Sequence, residues 1–392
     1  RDVLPGISAT KSPDPASLPE PGGDVTFSVE VFNDSTVEPV ELTILDDDVY
    51  GDLTSTAGDI VSTTCVLPQT IAIGGSYACE FVAPVTGTAE LSPSTDTITA
   101  TAFDNEGNQA TADASADVTL TDVDPEISVD KTAAPLSLPE PGGTFTFSVT
   151  VTNDSVEAVT LTSLSDDIYG DLDGQGDCAL PQTIAVGGDY SCSFPGDFSG
   201  NAGDSQTDTI TAIAEDDEGN TATDSDDATV TLTDVPSSIE VTKDAAPIEV
   251  PEPGDTVTFS ITVENTSPVD TVTIDSLVDD VHGDLDGQGD CAVPFDLAPA
   301  ATYSCSFTAD VTGNAGYVEV DTVTASGTDD DGAAVSDDDD ATVTVVDVLP
   351  EITVDKTAAP LALPEPGGDF TFSVTVTNDS VEEVTLTSLS DD

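Results

Sequence analysis

The chain has 392 residues, and 78 Asp and Glu face only 5 Lys and Arg, for a formal net charge of −73. A surface this acidic repels nucleic acid and anionic membrane and attracts cations, so neither of the first two is an expected partner. The hydrophobic fraction of 37% suffices for packed cores, so the acidity is not that of a disordered tail.

The first predicted element carries Lys11 and runs into "LPEPGG" at Leu18, a turn signal followed by alternating Val25, Phe27, Val29 and Val31. The Pro-Glu-Pro-Gly motif returns at Leu138, Val250 and Leu363, at intervals of 120, 112 and 113 residues. A period this long means one whole domain per repeat. The units are placed at 1–124, 125–235 and 236–349, with an incomplete fourth at 350–392.

The second unit shows the elements in order: "EISVDKT", "TFTFSVTVTN", "AVTLTSLSDD", "QTIAV", "YSCSF", "DTITAIAE" and "TATDSDDATVTLTD". Their period is two: Phe145, Phe147, Val149 and Val151 share one face while Thr and Ser take the other. Val257, Phe259, Ile261 and Val263, and then Phe370, Phe372, Val374 and Val376, repeat the pattern. About seven short strands in about 110 residues predict an all-β fold, a head-to-tail array of immunoglobulin-like β-sandwiches.

Six cysteines fall as Cys65 and Cys79, Cys178 and Cys192, and Cys291 and Cys305, each pair 14 apart. The spacing predicts one short-range disulfide per unit and an oxidising, extracellular or cell-surface location. No run approaches the ~18 apolar residues of a membrane span, so no direct membrane insertion is expected within this segment. The chain begins at Arg1 without a basic, apolar leader, as expected of a mature protein or a piece of one.

The run "ISVDKTAAPLSLPEPGGTFTFSVTVTNDSVEAVTLTSLSDD" resembles the immunoglobulin-like tandem repeat family of bacterial and archaeal surface and secreted proteins, with its V-x-K, P-G and T-F-x-V-x-V-x-N pattern. The resemblance extends over the three complete units and the partial one. It implies an extracellular module of long surface proteins and no enzymatic activity.

In the usual threading, the Pro-Glu-Pro-Gly turn, the "DDIYGDLDGQGD" and "PGDFSGNAGDS" loops and the exit "LTDV" fall at one end of a unit. "TNDS", "VGGD" and "EDDEGN" fall at the other. Acidic ends would then meet at each junction, and clustered hard oxygens are what Ca²⁺ binds. For the second junction the candidate ligands are Glu140, Asp166, Asp167, Asp171, Asp173 and linker Asp234, facing Asp329, Asp330 and Asp331.

Asp171, Asp173 and Gly176 also fit the first positions of a D-x-D-x-x-G calcium loop, with Asp177 beside them. Gln182 stands where the bidentate Glu belongs, so the loop is not an EF-hand. The third unit keeps it, with Asp279, Asp280, Asp284, Asp286 and Asp290, while the first has Thr54 in place of the second ligand. High-salt adaptation would explain the same acidity without a metal.

His282 replaces Tyr50 and Tyr169 in one recurring slot and reads as structural. Lys11, Lys131, Lys243 and Lys356 recur at one place on the first strand, which predicts a partly buried ion pair across the sandwich or, as the sharper option, an intramolecular Lys-Asn or Lys-Asp isopeptide bond. Asn33, Asn153, Asn265 and Asn378 each open an N-x-S triplet, where tight-turn chemistry competes with N-glycosylation.

The expected function is a non-enzymatic extracellular stalk or filament subunit, stiffened by disulfides and Ca²⁺, with further copies of the same repeat as partners in a fibre. An adhesin stalk whose binding tip lies elsewhere, or the spacer of a large secreted hydrolase, are the alternatives. The partial unit is expected to supply three strands and to be completed by a continuing array or by another chain.

Overall fold

The computed structural model describes residues 3–392. It divides into two compact units, one running up to Leu136 and taking in Thr144–Asp197 and Gln206–Val230, the other of Ser137–Gly143, Phe198–Ser205 and Thr231–Asp392. The sheets, by contrast, follow the sequence repeat.

In the first unit, strand Ile7–Asp14 pairs with Gly22–Asn33, which pairs with Ser76–Thr86, and Ser62–Thr63 closes that sheet. The second sheet orders Ser17–Pro19, Gln109–Thr121, Ser94–Phe103, Val40–Asp47 and Gly51–Asp52, with Gln69–Ile71 also on Val40–Asp47. In the third repeat the order recurs: Ile239–Ala246, Gly254–Asn265 and Thr302–Thr312 form one sheet. Glu249–Pro251, Ala334–Val346, Val318–Asp329, Val272–Asp279 and Gly283–Asp284 form the other. The strands between Ile127 and Thr233 take the same order again. This is the all-β tandem sandwich that the alternation predicts, with three short strands added to the expected set in the first repeat and two in each of the next two.

The period of two does the sorting. Val25, Phe27 and Val31 are fully buried and Val29 nearly so, and the same holds for Val257, Phe259, Ile261 and Val263, while the Thr and Ser between them stay at least partly exposed. Burying each such side chain contributes about 1.5–3 kcal/mol. The apolar faces of the two sheets meet in one continuous core in each case.

The Pro-Glu-Pro-Gly turn has a steric reason for its glycine. Gly22, Gly142 and Gly254 hold φ of +97°, +94° and +132°, and a Cβ there would sit 2.0, 2.2 and 2.2 Å from the carbonyl oxygens of Val85, Phe198 and Val311. Only glycine lets the chain turn this tightly. The turn tucks the preceding Glu20, Glu140 and Glu252 inward, where they are buried.

Beyond residue 350, Ile352–Ala359 pairs with Thr371–Asn378, and Lys356 lies opposite Val374 as Lys131 lies opposite Val149. The expected third strand is absent. Its counterpart Val159–Asp166 is held by Ser205–Glu215 and two short strands, and no described residue pairs with 384–391 in that way. Phe372 is accordingly 56% exposed, where Phe147 is fully buried.

Candidate metal centres

Four carboxylates from four separate segments converge where the first repeat runs into the second. Glu20 comes from the glycine turn, Asp122 from just beyond Gln109–Thr121, Glu157 from just before Val159–Asp166, and Glu218 from the turn after Ser205–Glu215. One oxygen of each lies within 4.8 Å of the others. Glu140, Asp234 and Asp331 form the corresponding group at the next junction, and Glu252, Asp347 and Glu382 at the third. Glu38, Asp104 and Glu106 lie together in the first repeat, at the places that Glu157, Asp216 and Glu218 hold in the second.

The turn glutamate is the fixed point of each group. Glu20 accepts the N–H groups of Ala89 and Val123 at 2.9 and 3.1 Å, Glu140 those of Ala202 and Val235 at 2.7 and 2.8 Å, and Glu252 those of Ala315 and Val348 at 2.9 and 3.1 Å. Each therefore ties one loop to the linker that follows it. The two backbone donors hold Glu252 below the ordinary carboxylate range.

The carboxylates opposite are destabilised as anions. Burial, then the Asp217 carboxylate and the charges of Glu20 and Glu218, push Glu157 up to about 8. Contact with Asp217, then burial and the charges of Glu20 and Asp122, push Glu218 up to about 7. Burial, then Glu140 and Asp270, push Asp331 up to about 6. Burial and the charges of Glu140, Asp329 and Asp270 also raise Asp234. Glu157 Oε1, both Glu218 carboxylate oxygens and Asp329 Oδ2 are buried with no hydrogen-bond partner. Such groups either hold protons or share a cation.

Of the candidates at the second junction, Glu140, Asp234 and Asp331 come together. Asp329 lies close enough for its charge to act on Asp234, and Asp330 is exposed outside the group. The acid-rich loop takes no part. Asp171 accepts the Asp173 N–H, Asp173 that of Leu180, and Asp177 that of Ser193, while Asp284, Asp286 and Asp290 cap Asp286, Val293 and Ser306 in the same way. Asp167 and Asp280 accept the N–H groups of Thr209 and Thr322.

The loop lies back on its own sandwich, so close that a Cβ on Gly176 would meet the Ser193 carbonyl at 2.0 Å. Its carboxylates cap turns of their own sandwich, and none belongs to the groups whose oxygens converge. Glu20, Asp122, Glu157, Glu218, Asp270, Glu252, Asp347 and Glu382 were not among the candidates. Their signal in the sequence is recurrence beside the linker, not density of acid.

Asp166 and Asp279 belong to a different site. Lys131 Nζ lies 2.6 Å from Asp166 Oδ2 and 2.8 Å from Asp208 Oδ2, with all three side chains fully buried. Lys11 makes the same pair of contacts with Asp47 and Asp96, both at 2.6 Å, and Lys243 with Asp279 and Asp321 at 2.6 and 2.7 Å. Each ammonium also sits 4.5–5.0 Å from the ring centre of Phe27, Phe147 or Phe259. Burial outweighs the lysine's attraction and raises the carboxyls of Asp96 and Asp208. Lys356 pairs with Asp391 on the exposed partial repeat.

His282 takes the place of Tyr50 and Tyr169 against paired phenylalanines. Its ring is 5.3 Å from Phe259, as Tyr169 is 5.5 Å from Phe147, and Nε2 lies 3.1 Å from Asp321.

The asparagines are turn locks. Asn153 Nδ2, the atom a glycan would take, is buried and donates to the carbonyls of Glu157 and Ile184, while Oδ1 accepts the Ser155 N–H. Asn33 and Asn265 are bonded alike, so the folded sandwich leaves these three no room for N-glycosylation. Asn378 makes the equivalent bonds to Glu382 and Ser380 on the exposed partial repeat. The six cysteines form the three expected bridges, with Cα–Cα separations of 5.0, 5.0 and 4.9 Å.

No family model and no curated protein matches the chain. Among solved structures, it is similar to a bacterial ice-binding adhesin of 1.5 MDa studied for its retention on the host cell surface, at 14% identity and a TM-score of 0.22, over 89% of this chain and 100% of that one. It is similar also to a tetra-tandem repeat from the extending region of a large adhesion protein, at 18% identity and a TM-score of 0.23, over 94% and 88%. A red sea bream transglutaminase matches over 57% of this chain and 31% of its own, at 13% identity and a TM-score of 0.22. Scores this low have no bearing on function.

Proposed function

We propose that this chain is a structural segment of an extracellular or cell-surface protein, a tandem-repeat spacer whose junctions bind Ca²⁺ and stiffen when they do. The observation that carries the reading is the recurrence of a carboxylate group, built from the turn glutamate, the linker acid and one or two acids of the following repeat, at successive junctions. Three disulfides support an oxidising location.

Ca²⁺ takes six to eight oxygens at about 2.3–2.6 Å in flexible geometry, which suits carboxylates gathered from independent loops. Mg²⁺ demands a tighter octahedron and keeps more of its water. A bound ion would replace repulsion among the carboxylates by attraction, and so would make each linker rigid. Further copies of the repeat are the partner this geometry fits, because Glu38 and Glu106 present the half-group that Glu157 and Glu218 present to Glu20 and Asp122. A spacer in an adhesin whose binding end lies elsewhere, or a filament subunit, are both uses of such a segment.

The test is calorimetric titration with Ca²⁺ at fixed high NaCl, alongside small-angle scattering with Ca²⁺ and with chelator. Saturable binding at about one ion per junction, lost at the second junction in Glu140→Gln/Asp234→Asn, is expected. If neither heat nor particle length responds to Ca²⁺, the acidic surface serves solvation in salt instead.

A further inference from the structure

We propose that the third repeat holds a divalent transition-metal ion of the Zn²⁺ type between His282 Nε2, Glu319 Oε1 and Asp321 Oδ2. Two substitutions that meet in space carry this site, independently of the Ca²⁺ reading.

In the second repeat Tyr169 packs against Phe147 and Phe194, and its Oη accepts the Gln206 amide at 2.6 Å. Both members of that pair are neutral. In the third repeat His282 stands for the tyrosine and Glu319 for the glutamine, while in the first the two places hold Tyr50 and Ser94. Among the three complete repeats, an imidazole and a carboxylate face each other only in the third, and both are groups that ligate metals.

The backbone around His282 is fixed by the fold. Its N–H donates to Asp279 Oδ1 at 2.8 Å, its carbonyl accepts the Gln288 amide at 3.1 Å, and its ring lies 5.3 and 5.4 Å from Phe259 and Phe307. Nε2 thereby comes to stand 3.1 Å from Asp321 Oδ2 and 3.7 Å from Glu319 Oε1. All three atoms are buried, and none has a hydrogen-bond partner. The Asp321 side chain is only 1% exposed. Lys243 Nζ lies 2.7 Å from its Oδ2, but the ammonium's hydrogen bonds go to Asp279 Oδ2 at 2.6 Å and to the Asp321 carbonyl at 3.0 Å. Ligand atoms of a tetrahedral Zn²⁺, with bonds of about 2.0–2.1 Å, stand about 3.3 Å apart, a value that the two separations from Nε2 bracket.

Charge favours the same occupant. Lys11 and Lys131 each face two carboxylates, whereas Lys243 shares its surroundings with three, Asp279, Asp321 and Glu319. A divalent ion brings the set in the third repeat to neutrality, with the imidazole neutral. An imidazole ligand also selects Zn²⁺ and similar ions over Ca²⁺, which takes oxygen. The side chains of His282 and Glu319 are 14% and 12% exposed, which gives the ion an entry from solvent and lets water complete its coordination. The ion would join the turn after Val272–Asp279 to strand Val318–Asp329, in the place of the Tyr169–Gln206 hydrogen bond.

His282 is the only histidine of the chain, so imidazole NMR signals report this ring alone. Titration of the full chain with Zn²⁺, in saturating Ca²⁺, should shift the Nε2 resonance and saturate at one ion at the ring. His282→Tyr/Glu319→Gln rebuilds the neutral pair of the second repeat, so it should fold and bind Ca²⁺ as wild type does. Calorimetry on that variant should show this Zn²⁺ binding weakened at least about a hundredfold, beyond the usual cost of a change beside the ligands. Ring signals that respond to pH and not to Zn²⁺ overturn the proposal and leave an imidazolium paired with Asp321 and Glu319. Equal Zn²⁺ affinity in wild type and double variant overturns it as well, by placing the ion among the other acids. The NMR readout is taken at the ring, so it stands whichever way the Ca²⁺ titration falls.

Discussion

Asn220 Nδ2 donates to Asp122 at 2.7 Å and to Asp216 at 3.0 Å, and so occupies two carboxylate oxygens at the first junction. The same place in the next repeat is Ala333, and there Asp329 Oδ2 is buried with no hydrogen-bond partner. The two junctions therefore offer a cation different numbers of free oxygens.

Asn220→Ala should strengthen Ca²⁺ binding at the first junction and Ala333→Asn should weaken it at the second. One hydrogen bond to a charged group contributes about 1.5 kcal/mol, which corresponds to about tenfold in affinity. Titration calorimetry on the two variants checks both directions, and equal affinities across wild type and variants would contradict the difference in oxygen count.

The raised carboxyls set a pH dependence whose sign depends on the metal. Glu157, Glu218 and Asp331 titrate at about 8, 7 and 6 in the folded chain. Unfolded, they titrate at about 4. Without Ca²⁺, the folded state binds the extra protons, so this contribution to stability is fully present below about pH 4 and is lost as pH rises through 6 to 8. With Ca²⁺ the ion competes with those protons, and its affinity should rise over the same window. Thermal melts in chelator and in Ca²⁺ from pH 5 to about 9 should diverge with increasing pH.

Removing a buried lysine strands two carboxylates. Lys131→Met should cost about 3–5 kcal/mol in chemical denaturation, the usual penalty for leaving a buried charge uncompensated. Lys356→Met, whose side chain is 39% exposed, should cost under about 1 kcal/mol. Comparable losses for the two would mean that burial does not set the strength of the pair.

Gly142→Ala tests the turn that places Glu140. The substitution meets both a φ of +94° and a carbonyl at 2.2 Å, so a loss of at least about 1–3 kcal/mol is expected. Because Glu140 stands just before Gly142 and is placed by this turn, the Ca²⁺ affinity proposed for the second junction should fall with it. Gly170→Ala, at φ +79° with no atom within 4 Å of the added carbon, should cost less and leave that affinity unchanged.

Legibility divided along a physical line. Phe145, Phe147, Val149 and Val151 announced a strand because burial on one face of a pleat is a local, two-residue property. Lys131 stood out because a cation kept once per repeat in so acidic a chain needs a partner, and the structure supplies two. The acid-rich loop did not announce which carboxylates gather, because a run of Asp reads the same whether its oxygens converge or cap separate turns. The Asp173 oxygen that accepts the Leu180 N–H is used up within its own loop.

Composition, period and spacing by themselves determined the all-β class, the repeat, the three cysteine pairs and the place of the lysines. All of these follow from the order of residues along a strand or from recurrence along the chain. Only the tertiary structure decided which of 78 acids meet. Glu20, Asp122, Glu157 and Glu218 converge from segments scattered over about two hundred residues, brought together by a glycine turn, a linker and two hairpin ends. Charge repels at every distance, so carboxylates gather only where backbone geometry holds them, and that geometry is a property of the folded chain.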